Sequence, residues 1–203
     1  MRDCIFTSHC IETSCDKSCP AFVETNYLLE RNNLINNSAV YKASPATINE
    51  VDNVINNSNS RLGVYVVPPN SNTSDYANIF TYVSICKYWK GSQLHVSVYH
   101  LRYSYYIDQL KKSWASKSNQ DELEYSEIWY KKCKVLIVSN FDYMNFGDFE
   151  SQTLLSLIQE RQDNNLTTIL VSPPINTLVS TKSSIFFNTL KKMMKLAAKE
   201  VRS

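Results

Sequence analysis

Short runs rich in β-branched and aromatic residues alternate with stretches of helical spacing over most of this chain. Four runs read as strands: LGVYVVP at 62–68, LHVSVYHL at 94–101, KVLIVSNF at 134–141 and TTILVSPP at 167–174. The third is continuous and apolar, the pattern of a strand covered on both faces. After the first run, Ser74 or Asp75 is placed to cap a helix that turns Ile79, Val83 and Cys86 inward. The second run leads into a tyrosine-rich, partly basic helix ending near Lys112. The charged stretch KSNQDELEYSEIWYKK reads as a loop followed by a short helix. Asp148 opens a helix carrying Leu154, Leu155, Leu157 and Ile158. A last helix over 183–201 presents Phe187, Leu190, Met194 and Leu196 on one side, with Lys191, Lys192, Lys195, Lys199 and Arg202 around the rest. Such alternation predicts a three-layer α/β domain whose sheet is mostly parallel, with four or five strands and right-handed crossovers.

Upstream the pattern differs. AFVETNYLLERNNLI reads as an amphipathic helix and NNSAVYKASPAT as a linker. Thr47 and Glu50 form a capping-box pattern ahead of Ile48, Val51, Val54 and Ile55, and NNSNSR closes that helix. The expected division is a Cys-rich module with its helix at 1–35, a linker and connecting helix at 36–60, and the α/β domain at 61–203.

Composition narrows the chemistry. Only 3 of the 203 residues are glycine, where average usage gives about 14. Gly63, Gly91 and Gly147 lie far apart, which disfavours an intact phosphate-cradling loop, a dinucleotide-binding turn or a nucleophile elbow built on glycine. A formal charge of +2 is too small to argue for nucleic acid by itself. No stretch approaches the roughly 18 apolar residues of a membrane span, and the N-terminus lacks the apolar core of a signal peptide, so a cytoplasmic protein without a membrane partner is expected.

Of the 6 cysteines, Cys4, Cys10, Cys15 and Cys19 fall at the N-terminus, with His9 beside the second. This segment has too few apolar residues to order itself, and four thiolates supply a tetrahedral zinc site that would do so. Structural zinc on these four is the expectation. An iron–sulfur cluster suits the same ligands, and His9 is an alternative to Cys10. Cys86 and Cys133 read as buried thiols. His95 and His100 read as surface histidines, and no Ser/His/Asp or Cys/His arrangement is apparent.

From Leu62 onward the order of segments resembles the ATPase domain of DnaC/DnaI-type bacterial and phage helicase loaders, of the AAA+ class. RLGVYVVPPNSNTSDYANIFTYVSICKYW resembles that family's first strand, P-loop and helix. KVLIVSNFDYMNFGDFESQTLLSLIQERQDNNLTTILVS resembles its Walker B strand, a helix ending in a glutamate–arginine pair (Glu160 and Arg161) and the sensor strand. FFNTLKKMMKLAAKEVR resembles the last helix of the lid, here truncated. A small zinc module that contacts the helicase is what the resemblance implies for the N-terminus.

The departures from the family pattern bear on function. Where the family has its glycine–lysine loop, this chain reads Val67-Pro68-Pro69-Asn70-Ser71-Asn72-Thr73-Ser74, without glycine or lysine. Where two Walker B acids are expected it has Ser139 and Asn140, with Asp142 two residues on. The sensor position falls at Pro173, and the sensor arginine of the last helix corresponds to Asn188. Asn70, Asn72, Thr73, Ser74, Ser139, Asn140 and Asp142 are thus a degenerate nucleotide site, not expected to function, because phosphoryl transfer rests on groups that neutralise and position phosphate. ATP and magnesium are not expected as cofactors.

The function so implied is that of a helicase-loader-like adaptor in replication initiation, a pseudo-ATPase binding the replicative helicase or an active loader. Two alternatives remain: an active loader in which Ser74 and Asp142 still hold magnesium, and a zinc-containing DNA-binding regulator or inhibitor. For contact with single-stranded DNA or a protein partner the candidates are Arg102, Lys111 and Lys112, amid Tyr99, Tyr103, Tyr105 and Tyr106, and the C-terminal Lys191, Lys192, Lys195, Lys199 and Arg202. The tyrosines are expected to pack half-buried and the lysines to solvate an outer face.

Overall fold

Eleven elements follow one another in a computed structural model that describes residues 20–35, 37–58, 62–90, 98–141 and 147–173. They are α1 (Pro20–Arg31), α2 (Ser38–Lys42), α3 (Pro45–Asn57), β1 (Leu62–Val66), α4 (Thr73–Lys90), β2 (Val98–Arg102), α5 (Tyr103–Ser113), α6 (Lys117–Lys132), β3 (Val135–Ser139), α7 (Asp148–Asp163) and β4 (Thr167–Ser172). The strands form one all-parallel sheet in the order β1-β4-β3-β2. Helices cover both faces, which explains why every residue of β3 and β4 is buried.

Strand alternation sorts the core into two layers. Val98, Val135, Ile137, Ile169 and Val171 face Phe80, Val83 and Ile85 of α4, with Val51 and Ile55 of α3 and Val40 of α2 in the same cluster. Leu101, Leu136, Val138 and Leu170 face the opposite side, against Ile107 of α5, Leu123 and Tyr130 of α6, and Leu154, Leu157 and Ile158 of α7. No helix among the described residues is long and apolar enough to cross a membrane.

Several local readings change. The stretch 36–47 contains α2, whose N-cap Asn37 accepts from the backbone of Ala39 and Val40. Helix α3 starts at Pro45 with Ser44 as its cap, accepting from Thr47 N at 3.1 Å, so Thr47 lies inside the first turn. Residues 117–132 form one continuous helix rather than a loop and a short helix. Ser116 caps it, Leu123 and Tyr130 face the core seven residues apart, and Lys131 bridges Glu127 one turn back. Its charged exposed face hides that spacing in the sequence. Helix α4 is capped by Asn72, whose carbonyl accepts from Tyr76 N and whose side chain accepts from Ser74 N.

Among the described residues four non-glycine positions hold positive φ, and all are asparagine: Asn33 (55°), Asn70 (65°), Asn140 (57°) and Asn165 (55°). Two of them end helices in Schellman motifs. At α1, Leu34 N reaches Leu29 O at 2.8 Å and Asn33 N reaches Glu30 O at 2.9 Å. At α7, Leu166 N reaches Arg161 O and Asn165 N reaches Gln162 O, both at 2.9 Å. Asparagine is the L-residue that tolerates this conformation best, so it stands where glycine usually does.

Arg161 is completely buried. Its Nε donates to Thr168 Oγ1 (2.9 Å), Nη1 to Tyr130 O (2.6 Å) and Lys131 O (3.4 Å), and Nη2 to Thr167 O (2.6 Å). Cys133 Sγ lies 3.5 Å from Nη1. Tyr130 and Lys131 are in the last turn of α6, where carbonyls lack intrahelical donors and the helix end carries partial negative charge. The guanidinium therefore ties α6, α7 and β4 together without a carboxylate among its hydrogen-bond partners.

Two stability changes follow. Arg161→Met takes a charged donor away from the Tyr130 and Thr167 carbonyls and is expected to cost about 3 kcal/mol in urea unfolding. Asn165→Gly relieves the left-handed backbone and is expected to add about 0.5 kcal/mol, while Asn165→Ala removes about 1 kcal/mol.

Candidate functional site

The helix after β1 leaves toward one face of the sheet and the helix after β3 toward the other, with β4 between these strands. Parallel sheets bind ligands beyond their carboxyl ends at such a reversal. Here the loop 67–72 meets the end of β3, so the fold brings together two of the sequence stretches singled out above. Their contact is direct: Ser74 Oγ donates to Asn140 Oδ1 at 3.2 Å.

The loop extends β1 by one bond, Val67 N to Ser172 O at 2.9 Å, and then turns. Pro68 and Pro69 carry no N–H. Ser71 N donates to Pro68 O at 3.1 Å, and Ser74 N to Asn72 Oδ1 at 2.8 Å. Among residues 68–74, at most the N–H groups of Asn70, Asn72 and Thr73 are left for a ligand. Asn70 supplies the left-handed turn, and Thr73 is buried. Asp75 places an exposed carboxylate in the first turn of α4, where a phosphate would meet like charge. This arrangement offers hydroxyl and amide groups to a neutral ligand, with no cation from the loop to balance an anion.

Behind Asn140, the completely buried Ser139 holds a bond that the sequence reading missed. Its Oγ lies 2.8 Å from His100 Nε2. His100 is half-buried on β2 instead of lying on the surface, and its backbone N–H donates to Asn32 Oδ1 at 2.9 Å. Burial, with the Arg102 charge adding to it, holds the imidazole down to about 4, so it is neutral near pH 7. Ser139 is a buried hydrogen-bond partner without access to a substrate. Strand alternation put His100 on the α4 face, but its pairing with Ser139 depends on the β2–β3 register, in which Arg102 lies opposite Ser139.

Three of the basic candidates are among the described residues. Arg102 and Lys112 are exposed. Lys111 donates to Glu150 Oε1 at 2.8 Å, and that hydrogen bond holds the Glu150 carboxyl below its usual range. Tyr103 and Tyr106 are buried, Tyr99 is half-buried, and Tyr105 is exposed. Tyr106 OH donates to Glu127 Oε1 at 2.9 Å, and burial raises its phenol. The exposed Trp114 packs edge-on against Phe149 at 5.5 Å, an aromatic pair not anticipated from the sequence because it joins α5 and α7 across 35 residues. Glu160 is exposed and Lys131 lies 3.5 Å from it, while Arg161 beside it is structural.

Cys133 is buried, and burial pushes its thiol up; Cys86 is half-buried. No group of three or more His, Cys, Asp or Glu side chains that could hold a metal exists among the described residues. Cys4, His9, Cys10, Cys15, Cys19, Asp142, Lys191, Lys192, Lys195, Lys199 and Arg202 lie outside the described residues. No family model and no curated protein sequence matches the chain.

The His100 environment has a pH consequence. Its folded value lies below the ordinary 6.5, so between the two values the unfolded chain binds the extra proton. The stability it carries is complete above about pH 6.5 and is lost as pH falls toward 4. Between pH 7 and 5 the loss amounts to about 2 kcal/mol. Urea midpoints over that interval should fall in the native protein and fall much less in His100→Gln.

Proposed function

We propose that this protein is a helicase-loader-like adaptor in the initiation of DNA replication, one that binds a replicative helicase or an active loader and does not hydrolyse ATP. The observation carrying the reading is the Ser74–Asn140 hydrogen bond. It supports the resemblance, because residues 66 positions apart that correspond to the phosphate-loop hydroxyl and a Walker B acid meet at one sheet end. It also supports loss of turnover, since these groups satisfy each other where the chemistry needs a lysine, a magnesium ion and two acids. The prolines of the loop and the Asp75 carboxylate weigh in the same direction.

In this reading the N-terminal cysteines hold one structural zinc ion and form the docking piece, and the α/β body is the inherited frame. Purified protein titrated with ATP and magnesium is expected to give no binding heat and no phosphate release. Pull-down with a purified replicative helicase should recover a complex containing one zinc per chain, and Cys15→Ser should lose both zinc and complex. Turnover abolished by Ser74→Ala would overturn the pseudo-ATPase assignment. Failure to bind any helicase or loader, with binding to DNA instead, would overturn the adaptor assignment.

A further inference from the structure

Among the described residues β2 is an edge of the sheet, and two of its outward backbone groups, Val98 O and His100 N–H, are taken by a side chain. Asn32, buried at the end of α1, accepts from His100 N at 2.9 Å and donates through Nδ2 to Val98 O at 3.4 Å. Its amide thus presents to β2 the donor and acceptor that a neighbouring strand would offer. An uncovered edge of this kind is a template for another chain's backbone. Whatever moves Asn32 therefore decides whether that edge is open.

The neighbouring residue makes the closed position costly. Arg31 lies between two rings, its guanidinium carbon 4.1 Å from the Trp129 centroid and 5.0 Å from that of Tyr99. Nε and Nη2 have no solvent contact and no hydrogen-bond partner. Stacking on the rings offsets part of this, but a cation with two unpaired buried donors regains water when the helix lifts away. On the last turns of α1, Leu28 and Leu29 are only partly buried against the core, and Tyr27 is exposed. Beyond it the chain is anchored, with Leu34 and Val40 both buried. Between α1 and the anchor stands Asn33, exposed and left-handed, the natural pivot.

We propose that α1 with Asn32 is a releasable strap, which pivots at Asn33 and opens as a unit to uncover the outer edge of β2 while the sheet stays folded. It is independent of the nucleotide-site reading, and it makes the position of the N-terminal segment and the state of the sheet edge one equilibrium. An extended segment pairing with Val98 O and His100 N–H would bind only the open form, and so would favour it.

Native-state hydrogen exchange on the full chain, read residue by residue in low denaturant, tests this. The His100 amide is expected to exchange together with the amides of α1 and at least tenfold faster than Leu101, whose N–H points inward to β3. Asn32→Leu removes the clasp and should speed exchange at His100 at least tenfold. Arg31→Met keeps a long side chain between the rings without the unpaired donors, and should slow it by a similar factor. Leu101 should be unchanged in both variants. Exchange of His100 only with Leu101, or faster exchange at His100 in Arg31→Met, would overturn the strap; the second variant decides the matter even if the first does not fold.

Discussion

A buried arginine without a carboxylate partner holds one whole layer of this protein in place. Arg161 lies where α7 ends, β4 begins and α6 gives way to β3. Moving a guanidinium out of water costs several kcal/mol unless its donors are met. Here the carbonyls of Tyr130, Lys131 and Thr167 meet them. Two of these belong to a helix terminus that itself needs donors. Each group solves the other's problem, so neither α6 nor α7 can shift without leaving both unsatisfied. Because β3 follows α6 directly, the same lock sets where β3 enters the sheet, and with it the positions of Ser139 and Asn140.

The shortage of glycine shapes the rest of the backbone. A parallel sheet with short connections needs left-handed residues where helices stop and where strands turn out of the sheet. In this chain asparagine takes those positions at Asn33, Asn70, Asn140 and Asn165. At the two helix ends the substitution is nearly neutral in its consequences. At Asn70 and Asn140 it is not, because a side chain now stands in the loop and at the strand end where glycine would leave the backbone accessible. Asn140 uses that side chain to accept from Ser74, and the cleft becomes a contact within the protein.

How far the sequence discloses this depends on range. The strands, the two-sided burial of β3 and the described helices from 73 onward follow from periodicity that any local window contains. The exception is α6, whose inward residues Leu123 and Tyr130 are too few to stand out among its charges. The closeness of Ser74 and Asn140 was legible, since the resemblance in segment order sets both at strand ends. The His100–Ser139 bond was not, because it requires knowing that β2 pairs with β3 in one register. Likewise Asn32 is one polar residue among several in NNLINN, and only the position of α1 beside an edge strand gives it a partner.

These three pieces are linked through β2 and the end of β3. Asn32 bonds the backbone of His100, His100 bonds Ser139, and Ser139 precedes the asparagine that meets Ser74. The chain of contacts runs from the N-terminal helix to the first turn of α4. It consists of neutral groups throughout, since burial keeps the imidazole uncharged near pH 7. A nucleotide site at this place would need charge, to hold phosphate and to feel its loss. A neutral hydrogen-bonded chain instead transmits position: displacement of one member leaves a buried polar group unpaired at the next. In the strap proposed above, this chain of contacts is what couples the seating of α1 to the end of the sheet.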